Sequence, residues 1–276
     1  MRNLLSAGFV RLWRSKIFWL SCLFLAGTTV TAVWTRHSER VQYGYSSNLD
    51  TAFTYYVTFI VFLIPVVCAL FIGTDFADGT IRSKMVCGHS KSSLYLSNLI
   101  LCSVGSLIMC TAAVAPGLAL GLPLLGGFNM GWIRAILFFI GVYTLSLVWS
   151  ALSTLLAMLV SNRTISVVAA LFLSLALGIA GAYLEDRLEA GPTIPGFTVV
   201  VDGEIADLEE LANPAYLPEG PVRDAFQFLS DFTPGGQMVQ HIKTADRPEV
   251  LMAYDAVLFV IVTAAGLILF RRKDLR

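Results

Sequence analysis

Long runs without a charged side chain constrain this chain more than any other feature. Five runs are bounded by Lys16 and Arg36, Asp50 and Asp75, Lys91 and Arg134, Arg134 and Arg163, and Arg163 and Glu185. A sixth run, from Val250 to Phe270, contains only Asp255. About 18–20 apolar residues are enough for a helix to cross the hydrocarbon core of a bilayer. The runs therefore predict membrane spans and exclude a soluble enzyme, a nucleic-acid-binding module and a disulfide-stapled secreted domain.

Composition agrees with a chain that has the bilayer as its solvent. Only 14% of the residues are charged and the mean hydropathy is +0.73, whereas soluble domains carry about a quarter charged residues. The 5 cysteines form no disulfide framework, because four of them fall within predicted spans. His37, His89 and His241 fall in three different predicted loops. We therefore expect no metal site.

The distribution of Lys and Arg fixes the expected topology. The run between Lys91 and Arg134 is long enough to hide two crossings, but a seventh span would place the basic tail Arg271–Lys273 outside. With six spans and both termini inside, the inner segments contain twelve Lys and Arg residues and three acidic residues, and seven basic residues lie outside. The predicted spans are 17–34, 52–73, 94–120, 135–160, 165–184 and 254–270.

The remaining segments have distinct patterns. Leu4, Phe9 and Leu12 recur at helical spacing among basic residues, which predicts an amphipathic helix on the membrane surface; an extension of the first span is the alternative. Residues 185–253 have a net charge of −9, and we predict a strand at 197–201, a short helix at 205–212 and a helix from Pro221 through Leu229. The expected units are 1–184, 185–253 and 254–276.

The predicted fold is therefore an all-α integral membrane protein. It has six transmembrane helices, an N-terminal amphipathic interfacial helix and a small α/β-like extracellular segment between the fifth and sixth spans. Ion-driven carriers keep ionisable residues inside their spans, and here only Asp255 lies within one, at the outer edge, where we expect a solvated carboxylate. This disfavours a secondary transporter. The chain also lacks the glycine-rich phosphate-binding loop of ATPases, so we expect no ATPase activity of its own.

The polar segment from Thr74 to Asn98 has two interpretations. Asp75-Phe76-Ala77-Asp78-Gly79 and Arg82 are superficially similar to the metal-binding motif of CDP-alcohol phosphotransferases, which also have six spans. That chemistry needs further aspartates to hold two divalent cations. No acidic residue occurs between Asp78 and Glu185, so this interpretation is disfavoured.

The second interpretation is that the segment resembles ABC-2 type permeases, the membrane subunits of many bacterial ABC exporters. The resemblance lies in Asp78-Gly79-Thr80-Ile81-Arg82, Gly88-His89-Ser90-Lys91 and the entry to the third span at Leu94–Asn98. The tail Gly266–Leu275 and the stretch Phe232-Thr233-Pro234-Gly235-Gly236-Gln237 are also similar to that family. The resemblance covers the whole chain in topology and about forty residues in motif.

This resemblance implies a coupling helix near 79–88. Gly79 permits a chain break, Thr80 is expected to cap the helix, and Gly88 is suited to end it. We expect Ile81 and Met85 to seat in a groove on an ATPase, with Arg82 making a charged contact. The predicted coupling residues are Asp78, Gly79, Thr80, Ile81, Arg82, Met85 and Gly88.

The resemblance also implies where a substrate would pass. The second and fifth spans usually border the pathway in this family, so Tyr56, Phe59, Phe62 and Phe172 are the candidates. The implied function is a permease that exports a hydrophobic or amphipathic compound, such as a peptide, a lipid-like molecule or a drug. Alternatives are a CDP-alcohol-type phosphotransferase and a non-transporting membrane assembly subunit.

The expected partners follow from the same resemblance. They are cytoplasmic ABC ATPase subunits, a second permease copy or homologous permease, and the lipid bilayer, with no nucleic acid. ATP and Mg would bind to the partner ATPase, so this chain is expected to bind no cofactor. The expected location is the bacterial cell membrane, with multiple passes and both termini in the cytoplasm.

Overall fold

A computed structural model of the chain describes residues 2–44, 49–194, 198–201, 204–207, 211–243 and 247–273. The described helices are α1 (Arg2–Trp13), α2 (Lys16–Tyr43), α3 (Leu49–Ala77), α4 (Thr80–Val86), α5 (Lys91–Leu125), α6 (Trp132–Val160), α7 (Arg163–Glu189), α8 (Pro221–Phe232), α9 (Pro234–Ile242) and α10 (Pro248–Arg272). The described strands are β1 (Thr193–Ile194), β2 (Thr198–Val201), β3 (Glu204–Asp207) and β4 (Leu211–Ala212).

Six of the described helices are long and apolar enough to cross a membrane: α2, α3, α5, α6, α7 and α10. The predicted all-α membrane fold is confirmed. Each helix extends beyond its predicted span, because a helix continues past the apolar run until its backbone is capped. Ser15, Ser90 and Asn162 provide such caps, since their side chains accept hydrogen bonds from backbone amides at the starts of α2, α5 and α7.

Helix α3 lies at the centre of the bundle and packs against α2, α5, α6 and α7. Small residues allow close approach where apolar burial gives little driving force in lipid. A side chain at Gly117 would overlap Thr29 and Phe53, and one at Gly73 would overlap the backbone of Arg163. Glycines therefore set the contacts of α5 with α2 and α3, and of α3 with α7.

Helix α1 is separate from α2, as the amphipathic pattern predicted. The helical backbone is interrupted at Arg14 and Ser15, and α1 then packs against α5. A side chain at Gly8 would meet Leu101, while Leu12 lies beside Gly105. The alternative of a simple extension of the first span does not hold.

The described residues between α7 and α10 form two small antiparallel pairs and two helices. Strand β1 pairs with β4, and β2 pairs with β3. The predicted strand and the helix from Pro221 are present, but the helix expected at 205–212 is wrong, because Glu204–Asp207 pairs along Thr198–Val201. The turn predicted at Asp202-Gly203 lies outside the described residues. The β-branched sequence of β2 favours a strand, and residues 204–207 pair with that strand instead of forming a helix.

Candidate functional site

Helix α4 is a single short helix between α3 and α5. Gly79 precedes it with φ 67° and Gly88 follows it with φ 86°, both in the left-handed region that favours glycine. The expected break and ending at these residues are therefore observed. The expected capping by Thr80 is wrong: Thr80 is the first residue of α4, and its hydroxyl donates instead to the Asp75 carboxylate at 2.5 Å.

Asp75, near the end of α3, is the electrostatic centre of this region. Its side chain is 1% exposed and forms ion pairs with Arg11 of α1 and Lys84 of α4; Lys84 Nζ lies 3.0 Å from Oδ2. A buried carboxylate needs such compensation, since removing one partner of a buried pair leaves an uncompensated charge. The Asp75 cluster (Asp75, Arg11, Thr80 and Lys84) therefore ties three helices together.

The exposed face of α4 differs from the expected one. Ile81 is 2% exposed and belongs to the core of the chain, and Met85 is partly buried against that core. The expectation that Ile81 seats in a partner's groove is therefore wrong, because α4 uses this apolar face to pack against its own bundle. Arg82 and Val86 lie on the exposed face, and Val86 is 89% exposed.

The two aspartates of the disfavoured metal motif have different surroundings. Asp75 is held by two cations, whereas Asp78 is exposed. Cations beside a carboxylate compete with a metal ion for its oxygens. In the described part of the chain, no three His, Cys, Asp or Glu side chains converge as a metal site. The geometry of Asp75 favours an ion-pair role.

The four candidate pathway residues do not meet within one copy of the chain. Tyr56 is fully buried in the core, and Phe62 is partly buried. Phe172 is 71% exposed on α7. Phe59 lines a cavity of about 510 Å³ between α2 and α3, together with Phe24, Thr28, Thr31, Tyr55 and Arg36. Of the four, Phe59 alone lines this cavity.

A second polar cluster lies at the opposite end of the bundle from α4. Asp255 of α10 is 1% exposed and accepts a hydrogen bond of 2.6 Å from Thr144 of α6, so the expected solvated carboxylate is wrong. Helix α9 folds back against α3, α6 and α7. His241 of α9 is fully buried against Gly141, and this burial lowers the pKa of its imidazole to about 4.

Residues 232–237, the stretch that is similar to the permease family, lead into α9 and contribute Gln237 to this second polar cluster. Gln237 is fully buried in α9, and its amide donates to the Asp231 carbonyl oxygen at 2.9 Å. The sequence singled out the stretch but did not indicate that it folds into the bundle. No local signal connects Asp255 of α10 with Thr144 of α6, because their hydrogen bond joins residues 111 positions apart.

Comparison with known proteins adds independent information. A family model described as ABC-2 family transporter protein matches residues 4–181. The match includes α1 except its first two residues, all of α4 and the whole Asp75 cluster, and it ends within α7. No curated protein matches the chain.

Proposed function

Because the chain belongs to the ABC-2 transporter family and is a membrane permease of that class, we propose that a separate cytoplasmic ATPase drives it through α4. The observation that carries the proposal is the position of α4. One face of this helix is anchored to α1 and α3, and the other face presents Arg82 and Val86. Interfaces depend on a few well-packed anchors. Val86 is the apolar anchor and Arg82 the charged one.

The Asp75 cluster would transmit a displacement of α4. Lys84 moves with α4, Asp75 belongs to α3, and Arg11 belongs to α1. Ile81 adds an apolar contact to the core. A push on α4 would thus reach α1 and the central helix α3 as one rigid unit, because packed interiors transmit displacement rather than absorb it.

The substrate proposed for this permease is a hydrophobic or amphipathic compound, moved outward. The support is the apolar cavity beside Phe59 and the exposed apolar face of α7 around Phe172. A second copy or a homologous permease would cover that face and bring two pathways together. In the proposed orientation, both termini and α4 lie in the cytoplasm and α8 lies outside.

Val86→Asp is expected to abolish ATPase association without unfolding the chain. Val86 is 89% exposed, so the substitution leaves the bundle intact but places a carboxylate at an apolar contact. Co-purification of the ATPase with tagged permease measures the effect. We expect the amount of bound ATPase to fall more than tenfold. Val222→Asp on α8, also at an exposed valine, is the matched control and should retain the ATPase. Equal retention by both variants would exclude α4 as the docking helix.

The native cysteines test the proposed orientation. Cys87 is exposed after α4, whereas Cys22, Cys68, Cys102 and Cys110 are buried. A membrane-impermeant maleimide should leave the unmodified chain unlabelled in intact cells and label it after lysis. Asp224→Cys in a Cys87→Ser background should be labelled in intact cells, because Asp224 is exposed on α8. Labelling of Cys87 from outside would reverse the proposed topology.

A further inference from the structure

A cavity of about 470 Å³ lies between α1 and α3, next to the Asp75 cluster. We call it the α1 cavity. Its lining from the N-terminal region comprises Ala7, Val10, Arg11, Leu12, Arg14, Ser15 and Ile17, and its lining from α3 comprises Val67, Leu70, Phe71 and Thr74. Two guanidinium groups therefore share one cavity with a wall of aliphatic and aromatic side chains. This mixture matches a ligand with an anionic end and an apolar end.

The N-terminal segment that supplies most of the lining of the α1 cavity is basic, and two of its cations, Arg11 and Arg14, line the cavity itself. Arg2, Arg11, Arg14 and Lys16 all lie in the first sixteen residues, and no acidic residue occurs before Glu39. Arg14 is exposed, and it pairs with no carboxylate of the described residues. Arg11 binds Asp75 through Nη1 and stacks over the Phe71 ring at 3.9 Å, while its Nε and Nη2 are buried and have no hydrogen-bond partner in the described structure. Arg14 is therefore the accessible cation of the cavity, and the buried Nε and Nη2 of Arg11 are donors that the protein leaves unpaired beside it.

The apolar side of the site continues along the outer surface of α1. Phe9, Val10 and Trp13 are 36%, 51% and 58% exposed, and with Arg14 they line a smaller adjoining hollow. An aqueous anion such as free phosphate gains nothing from these side chains. A membrane lipid does contact them, because its acyl chain lies at the depth of these side chains while its headgroup stays beside the cations. Interfacial helices of this kind lie with their apolar residues among the acyl chains and their cations among the headgroups.

We propose that the α1 cavity binds an anionic phospholipid from the leaflet on which α1 lies. Its phosphate contacts Arg14, next to the Arg11 guanidinium, and one acyl chain lies along Val67 and Leu70. Guanidinium groups recognise phosphate through paired hydrogen bonds, which favours this headgroup. Arg11 binds Asp75, which binds Lys84 and Thr80 of α4, so two side chains lie between the bound lipid and α4. Under the proposed function, it would touch the same unit that receives the ATPase displacement.

Binding of phosphatidylglycerol to the purified full chain tests the proposal without any transport assay. Native mass spectrometry compares phosphatidylglycerol with phosphatidylcholine of the same acyl chains at equal concentration. The unmodified chain should retain phosphatidylglycerol preferentially, and Arg14→Gln should weaken its binding about fivefold, since a basic residue near a membrane contributes about 1 kcal/mol. Arg14→Lys should retain most of the preference. Arg14 lies outside the helices at the α1–α2 break, so its substitution leaves the core intact.

Arg2→Gln is the matched control, because Arg2 is an exposed cation at the start of α1 that does not line the cavity. It should leave binding unchanged. An equal loss of phosphatidylglycerol binding in Arg2→Gln and Arg14→Gln would show that binding depends on overall positive charge and not on this cavity. That result would overturn the proposed site. Equal retention of the two lipids by the unmodified chain would overturn it as well. Displacement of phosphatidylglycerol by millimolar inorganic phosphate alone would contradict a lipid as the occupant. These outcomes do not depend on an ATPase partner.

Discussion

Asp75→Ala should abolish ATP-driven transport while the chain still inserts into the membrane. The substitution removes the acceptor shared by Arg11, Lys84 and Thr80, so two partly buried cations lose their counter-charge. Breaking a fully buried ion pair costs about 3–5 kcal/mol, and the cost here is smaller because the Arg11 and Lys84 side chains keep 32% and 30% of their surface exposed. Helix α4 is short and has no side-chain cap at its start, so little else holds its polar side in place. We expect α4 to detach locally while the six spans remain assembled.

The reactivity of Cys87 reports this detachment independently of transport. Cys87 follows α4 directly, and its maleimide labelling rate in lysed membranes should rise in Asp75→Ala. ATP-dependent transport in inverted vesicles, with the ATPase present, should fall to background. Asp224→Ala is the matched control, since Asp224 is an exposed aspartate on α8, away from α4, and it should change neither quantity. If Asp75→Ala transported at the parent rate, the Asp75 cluster would not be the transmitting unit.

The sequence predicted those features of the α4 region that depend on local backbone chemistry. Gly79 and Gly88 mark the ends of α4 because a left-handed backbone conformation favours glycine. The orientation of α4 was not predictable in this way. Ile81 and Met85 lie on one helical face and Val86 on another, so the pattern alone does not indicate which face meets the bundle. Packing against the rest of the bundle determines that the face with Ile81 is the buried one.

Long-range pairs were beyond the reach of sequence patterns. Arg11 and Asp75 are separated by 64 residues, and Thr144 and Asp255 by 111. The charge counts placed Asp255 at a membrane edge, where water would solvate it. They carried no information on α9, which folds back against the bundle on the side where Asp255 hydrogen-bonds to Thr144. An isolated carboxylate within a predicted span was the available signal, and it indicates a buried partner more often than solvent.

Gly235→Ala is expected to displace α9 from α7. A Cβ atom at Gly235 would lie 1.8 Å from the carbonyl oxygen of Leu177, and one at Gly181 would lie 2.2 Å from the carbonyl carbon of Gly235. Both obstacles are backbone atoms, which cannot rotate away as a side-chain end can. Overpacking a close contact costs about 1–3 kcal/mol, and a backbone clash belongs at the upper end.

The displacement should extend to the whole second polar cluster. Gln237 and His241 follow Gly235 on α9, so lifting the helix exposes both to solvent. Thermal unfolding of the detergent-solubilised chain should shift downward by several degrees, and protease cleavage between α8 and α10 should accelerate. Gly27→Ala is the matched control, because no atom lies within 4 Å of its added Cβ and alanine is the better helix former. Gly27→Ala should therefore leave the melting temperature unchanged or higher. Equal melting temperatures for Gly235→Ala and Gly27→Ala would show that α9 can shift against α7 at no cost in stability.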